Sequence, residues 1–166
     1  MNDIEPVNQT KLFGLDKFIN EFIDLENDNI LPNKILLSGY KGIGKSTLAY
    51  HLINYILSKN EKFNYNSNEF KINSENQSFK TIINKSNPNL VVIDIDEDKK
   101  FIDIDQIRTL IKNLNKSSLN DKPRFVLIDN IEFLNINSTN ALLKILEEPS
   151  FNVFFILINN NKNILQ

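Results

Sequence analysis

The sequence predicts an α/β domain built on a parallel sheet. Its first support is a set of short apolar runs at residues 34–38, 90–95, 124–129 and 153–158, hydrophobic almost throughout rather than alternating. Strands covered on both faces read this way. Second, segments of helical period separate the runs, and strand–helix alternation is the pattern of a parallel sheet with helices on both faces. Third, a glycine-rich loop of defined spacing joins the first run to the helix that follows it.

Residues 1–11 are expected to form a mobile arm, and residues 12–166 one domain. In residues 12–25, Phe18, Ile19, Phe22 and Ile23 fall at helical spacing, which predicts a short helix. A polar turn containing Pro32 leads to the first strand, 34–38. Residues 46–57 place Leu48, Ala49, Leu52, Ile53, Ile56 and Leu57 on one face, an amphipathic helix. Residues 58–87 are rich in Asn, Lys and Ser, and predict an irregular or partly disordered insertion with a short helix near 79–83. The second strand is 90–95. Residues 103–114 carry Ile104, Ile107, Leu110, Ile111 and Leu114 at helical spacing, with Asp103 as N-cap. A loop at 116–123, a strand at 124–129, a helix at 139–147 stopped by Pro149, and a strand at 153–158 complete the reading.

Composition narrows the function classes. A chain of 166 residues, 41% hydrophobic with net charge -2, supports one core. Nineteen basic against 21 acidic residues exclude a strongly basic nucleic-acid mantle but leave room for a local patch. No run of 18 apolar residues is present, and the acidic first five residues carry no apolar signal segment. The absence of cysteine excludes disulfides, a cysteine zinc site and a thiol nucleophile, so no zinc is expected. With His51 as the single histidine, a histidine metal site or a Ser-His-Asp triad is disfavoured; His51 reads as a surface or packed residue. The expectation is a cytoplasmic protein without a membrane partner. The abundance of Asn, Ile and Lys reads as codon bias, and arginine occurs only at Arg108 and Arg124.

Gly39-Tyr40-Lys41-Gly42-Ile43-Gly44-Lys45-Ser46 fits G-x-x-x-x-G-K-[ST] at every defined position, after a predicted strand and before a predicted helix. Glycines let the backbone turn tightly, so that its N–H groups face phosphate oxygens. The helix behind the loop adds the positive end of its dipole. Gly39, Gly42, Ile43, Gly44, Lys45, Ser46 and Thr47 are therefore the candidate nucleotide contacts. Lys45 is expected to reach the β- and γ-phosphates, and Ser46 to bind Mg²⁺. A glycine turn with a chance lysine is the plain alternative.

The strand at 124–129 ends in Asp129, the carboxylate a phosphate-loop protein needs for Mg²⁺. Many such ATPases place a glutamate next to polarise the attacking water, but here Asn130 follows. An amide cannot act as a general base, so hydrolysis is expected to be weakened. Glu132 substitutes only if the loop turns it inward. Two further signals are weak. The acidic run from Asp94 to Asp105 lacks the sixth-position glycine of a calcium loop and reads as a solvated loop. Phe63, Tyr65 and Phe70 with interleaved lysines suit stacking on single-stranded bases, but the Asn content favours disorder.

Asn140-Ala141-Leu142-Leu143-Lys144-Ile145-Leu146-Glu147-Glu148-Pro149 resembles the Asn-Ala-Leu-Leu-Lys-x-Leu-Glu-Glu-Pro signature of bacterial DNA polymerase III clamp-loader subunits of the AAA+ class. The lead-in at residues 31–39 looks like that of the delta-prime type, with Asn33 where a histidine is usual. Asn87-Pro88-Asn89-Leu90 resembles its His-Pro-Asp-Leu step. The gamma/tau type is the next-best match.

The resemblance implies a P-loop NTPase of three-layer sandwich form, binding ATP and Mg²⁺. It implies gamma/tau and delta subunits, the sliding clamp and primed DNA as partners, and loading of the clamp as the task. It places Leu12, Phe13 and Gly14 beside the adenine, and Asn159 at the position that reports on the γ-phosphate. Lys45, Asp129 and Asn159 are then the catalytic set. The family's cysteine zinc module is missing, and the chain stops at Gln166 before the arginine-finger motif, the fifth strand, the helical lid and the collar. That predicts a partial domain whose first strand is an open, association-prone edge. The competing readings are a stand-alone P-loop ATPase, a nucleotide kinase, which two arginines argue against, and a nucleotide-free scaffold.

Overall fold

Residues 5–96, 98–116, 120–148 and 151–160 are described by the computed structural model of the protein. Met1–Ile4 of the expected arm, Glu97 of the acidic run, residues 117–119 of the loop, Pro149 as helix stop and the six residues from 161 on lie outside them. The chain forms two compact units. One holds the residues up to Pro32 together with Gly44–Asn87, and the other holds Asn33–Ile43 together with the residues from Pro88 onward.

The second unit carries a four-stranded sheet of β1 (Lys34–Ser38), β2 (Leu90–Ile93), β3 (Arg124–Ile128) and β4 (Val153–Asn159), in the order β1-β4-β3-β2. All neighbouring pairs are parallel. Ser38 lies opposite Asn159, and Ile128 lies opposite both Ile93 and Leu157. The carboxyl ends of the strands therefore meet at one edge, where open α/β sheets bind ligands. One face is covered by α4 (Ile104–Leu114) and α5 (Ile136–Glu147), which bring Ile107, Leu110, Leu114 and Leu142 onto Ile93, Val126, Ile128, Val153 and Phe155. The two central strands are mostly apolar and buried: β3 is buried from Phe125 to Ile128, and β4 buries Val153, Phe155, Ile156 and Ile158. β1 and β2 are the sheet edges among the described residues, and each exposes one apolar side chain, Leu36 and Val92.

Element boundaries move for identifiable local reasons. β2 stops at Ile93 because the Asp94 carboxylate takes the Ile95 N–H (2.7 Å) away from the ladder. β3 stops at Ile128, one residue before the expected end, although the Asp129 N–H still donates to the Ile93 carbonyl (2.9 Å). α4 begins behind Asp103 as expected, closed by a capping box with Gln106. α5 starts at Ile136, three residues earlier than the apolar spacing suggested, because the Asn135 side chain accepts the Ser138 N–H (2.9 Å) as N-cap.

The first unit is helical. α1 spans Asp16–Asn27 rather than beginning at residue 12, since Gly14 sits in the left-handed region (φ 70°). It buries Ile19 and Ile23. α2 (Lys45–Leu57) buries Leu48, Ala49, Leu52, Ile53, Ile56 and Leu57, together with His51 and Asn54.

Residues 58–87, where an irregular insertion with a short helix near 79–83 was expected, contain that helix and several packed side chains. Tyr65, Ile72, Phe79 and Ile82 are buried, and α3 spans Gln77–Ile83. Buried Asn76 organises this stretch. Its carboxamide oxygen caps α3 at the Phe79 N–H (2.8 Å) and accepts from Asn54 (3.2 Å), while its NH₂ donates to the Phe63 carbonyl (2.9 Å). Nor do the described residues of the arm hang free: Pro6–Asn8 make a 3₁₀ turn, and Thr10 accepts the Ile72 N–H (2.8 Å).

Candidate functional site

β1 delivers the chain into the loop at residues 39–44, and α2 begins at Lys45, the strand–loop–helix context the motif requires. Gly42 and Gly44 have φ of 87° and 93°, a region that costs an ordinary residue 1–2 kcal/mol. At Gly44 a Cβ would also come within 3.0 Å of Leu15 Cδ1. Gly44 is the N-cap of α2 and brings no capping side chain to the first-turn amides. That arrangement suits an anion. Lys45 is buried, while Ser46 and Thr47 are half-buried. Tyr40 and Ile43 are exposed, and Ile43 Cδ1 fills the space a Cβ on Gly39 would need, at 2.9 Å.

At the carboxyl edge of the sheet, Gly39 donates its N–H to the carbonyl of Asn159 (3.2 Å), extending the β1–β4 ladder. Asp94, Asp129 and Asn160 follow the ends of β2, β3 and β4. They are joined through Asn130, whose left-handed backbone (φ 56°, ψ 45°) turns its amide back over the edge. The Asn130 NH₂ donates to Asp94 (2.8 Å), and its carboxamide oxygen accepts from Asn160 (2.8 Å). Asp129 Oδ1 accepts the Asn130 N–H (2.8 Å) and the Asn160 NH₂ (3.2 Å). Glu132 lies in the 3₁₀ turn Ile131–Phe133, where its carboxylate accepts the Asn160 N–H (3.1 Å).

The chain matches the family model described as DNA polymerase III, delta subunit, over residues 14–166. The DNA polymerase III subunit delta-prime of Pseudomonas aeruginosa is 31% identical over 130 residues, covering 78% of this chain and 38% of that protein. Its counterpart in Buchnera aphidicola (subsp. Schizaphis graminum) is 30% identical over 132 residues, covering 76% and 37%. This chain belongs to the DNA polymerase III delta-prime family. It spans well under half the length of these relatives. A solved structure, a DNA polymerase III gamma subunit-related protein of Thermotoga maritima, superposes with a TM-score of 0.54 at 22% identity, covering 92% of this chain and 40% of that one. The two share their fold.

Within this delta-prime chain, the Asn160 side chain donates to Asp129 and Asn130, one residue after Asn159, which the resemblance placed at the γ-phosphate-reporting position. β4 runs one residue further than its apolar run indicated, so Asn159 is still in the ladder and buried. Asn160 is the first residue free to turn across the edge. The doublet Asn159-Asn160 was visible in the sequence, but the last ladder rung was not.

Proposed function

We propose that this segment binds ATP with Mg²⁺ and is the nucleotide-binding part of a clamp-loader subunit, helping to place the sliding clamp on primed DNA beside gamma/tau and delta subunits. The observation that carries the reading is a complete phosphate loop, its glycines in left-handed geometry between β1 and α2, in a chain of the delta-prime family. Gly39 opens the loop with its N–H held in the ladder, and the backbone N–H groups of Gly42, Ile43, Gly44 and Thr47 and the ammonium of Lys45 are the phosphate contacts in this reading. The Ser46 hydroxyl and Asp129 carboxylate are hard oxygen donors of the kind Mg²⁺ takes. No cluster of three or more His, Cys, Asp or Glu that could hold a metal occurs among the described residues.

Turnover is the weak part of this chemistry. Asn130 has no basic atom to take a proton from water, and its amide is already engaged by Asp94 and Asn160. Glu132, the nearest following carboxylate, accepts from the Asn160 backbone. We infer binding with slow hydrolysis, with Asn159 at the end of β4 reporting on the γ-phosphate and Asn160 beside it bonded to Asp129.

Titration of a fluorescent ATP analogue with and without Mg²⁺ tests the reading. Saturable binding lost in Lys45→Ala is expected, with steady-state hydrolysis near background. Absence of binding, or binding indifferent to Lys45→Ala, overturns the nucleotide role. Failure of the tagged native gene product to co-purify with gamma/tau and delta overturns the clamp-loader role.

A further inference from the structure

The stretch read from sequence as an irregular insertion forms the wall of a polar basin of about 680 Å³ in the helical unit. Its size lies within the roughly 300–1,000 Å³ of ligand sites, and it shares no residue with the phosphate loop. Its walls are the segment 62–69 and the returning segment 71–74, with Thr10 alongside. Paired backbone bonds between Asn66 and Lys71 (2.9 and 3.0 Å) clamp the two segments together. The Asn66 carboxamide oxygen holds the turn by accepting the N–H groups of Asn68 (3.0 Å) and Glu69 (3.2 Å). From behind, Asn76 fixes the Phe63 carbonyl and Ser58 fixes the Tyr65 N–H (3.1 Å). The basin is therefore formed before any ligand arrives.

Its lining combines three chemistries. Lys62 and Lys71 are exposed cations of the lining, and Glu69 is the carboxylate among the lining residues. Phe63 stands 40% exposed, with Lys62 Nζ 5.1 Å from its ring centroid. Exposed Asn64 and Asn68 add amides able to donate and accept. Tyr65, although it lines the basin, is 6% exposed and its hydroxyl is bonded to His51, so it offers no stacking face. Of the aromatic set noted in the sequence, Phe63 is the ring presented.

We propose that this basin binds a short stretch of single-stranded nucleic acid, with phosphodiesters on Lys62 and Lys71 and one base stacked on Phe63. A cationic surface interleaved with an exposed ring is what unpaired nucleotides bind, because every base has a π-face and every linkage an anion. A duplex offers no free base face to Phe63. Isolated phosphate uses the lysines but not the ring.

The test is fluorescence anisotropy of a labelled oligothymidylate with the full chain, without ATP, across 50–200 mM salt. Paired Lys62→Gln and Lys71→Gln substitutions at exposed positions are expected to flatten the log–log salt dependence by about 1.4, from two single-strand phosphate contacts at ~0.7 each. Phe63→Ala is expected to weaken binding about tenfold with the salt slope unchanged. As a variant-free check, the oligonucleotide should shift the amide resonances of residues 62–74 in the wild-type chain. No binding, binding unmoved by these substitutions, or equal binding of a duplex overturns the proposal. So does full competition by inorganic phosphate combined with an unaffected Phe63→Ala, which would mark an anion site only. None of these outcomes bears on the phosphate loop, so this inference and the clamp-loader reading fail separately.

Discussion

Lowering the pH from 7 to 4 should destabilise the protein through His51. The ring is fully buried in α2. Its Nε2 lies 3.1 Å from the Gln9 carbonyl, which can only accept, so Nε2 carries the hydrogen. Nδ1, 2.9 Å from the Tyr65 oxygen, then accepts the phenolic O–H. Burial pushes the ring pKa from 6.5 down to about 4, against a smaller upward pull from the Gln9 carbonyl. Burial also holds the Tyr65 hydroxyl well above its usual range, with help from the charge of Asp16, so the donor stays protonated. Between pH 6.5 and 4 the unfolded chain binds the proton and the folded chain resists it. The His51 contribution is therefore complete above about pH 6.5 and falls as the pH drops toward 4. The gap corresponds to about 3 kcal/mol lost by pH 4, with a steepest slope of about 1.4 kcal/mol per pH unit. That is a large part of a typical domain's stability of roughly 5–15 kcal/mol. Carboxylates titrate over the same window, so the informative quantity is a difference. Urea unfolding of wild type and His51→Gln, followed by circular dichroism at fixed ionic strength from pH 7 to 4, should give a stability difference that narrows by that amount. A difference that stays level across the window would refute the reasoning.

Asn76→Ala removes the cap of α3 and leaves the buried Asn54 amide unpaired; urea melts should show a loss of about 2–3 kcal/mol. Arg124 donates to the carbonyls of Leu114 (2.8 Å), Lys116 (3.1 Å) and Asn113 (3.4 Å), closing the end of α4. Arg124→Met keeps the apolar stem but should cost about 1–2 kcal/mol in the same assay.

The periodic and local features were legible in the residues. The four apolar runs became the four parallel strands, most plainly the central β3 and β4, whose side chains are buried at nearly every position. Asp103 acted as an N-cap, a local bond that needs only its own first turn. What escaped was long-range polar pairing. Residues 58–87 look disordered by composition, yet the side-chain amides of Asn54 and Asn76, 22 positions apart, satisfy each other inside the helical unit. Nothing in an Asn-rich sequence distinguishes those two from solvent-facing neighbours. His51 was equally opaque: its burial depends on Tyr65 and Gln9, which meet it only after folding.

At the candidate site the same division holds. The spacing of glycines, Lys45 and Ser46 defines a phosphate loop without coordinates, since its chemistry is backbone geometry over eight consecutive residues. The carboxylate edge depended on where each strand stops. Register placed Asn159 inside the β4 ladder and released Asn160 to bond Asp129 and Asn130. Periodicity fixes an element's presence far more firmly than its last residue. Only the neighbouring strands, by offering or withholding the next hydrogen bond, decide where the ladder ends and the side chains of the edge begin.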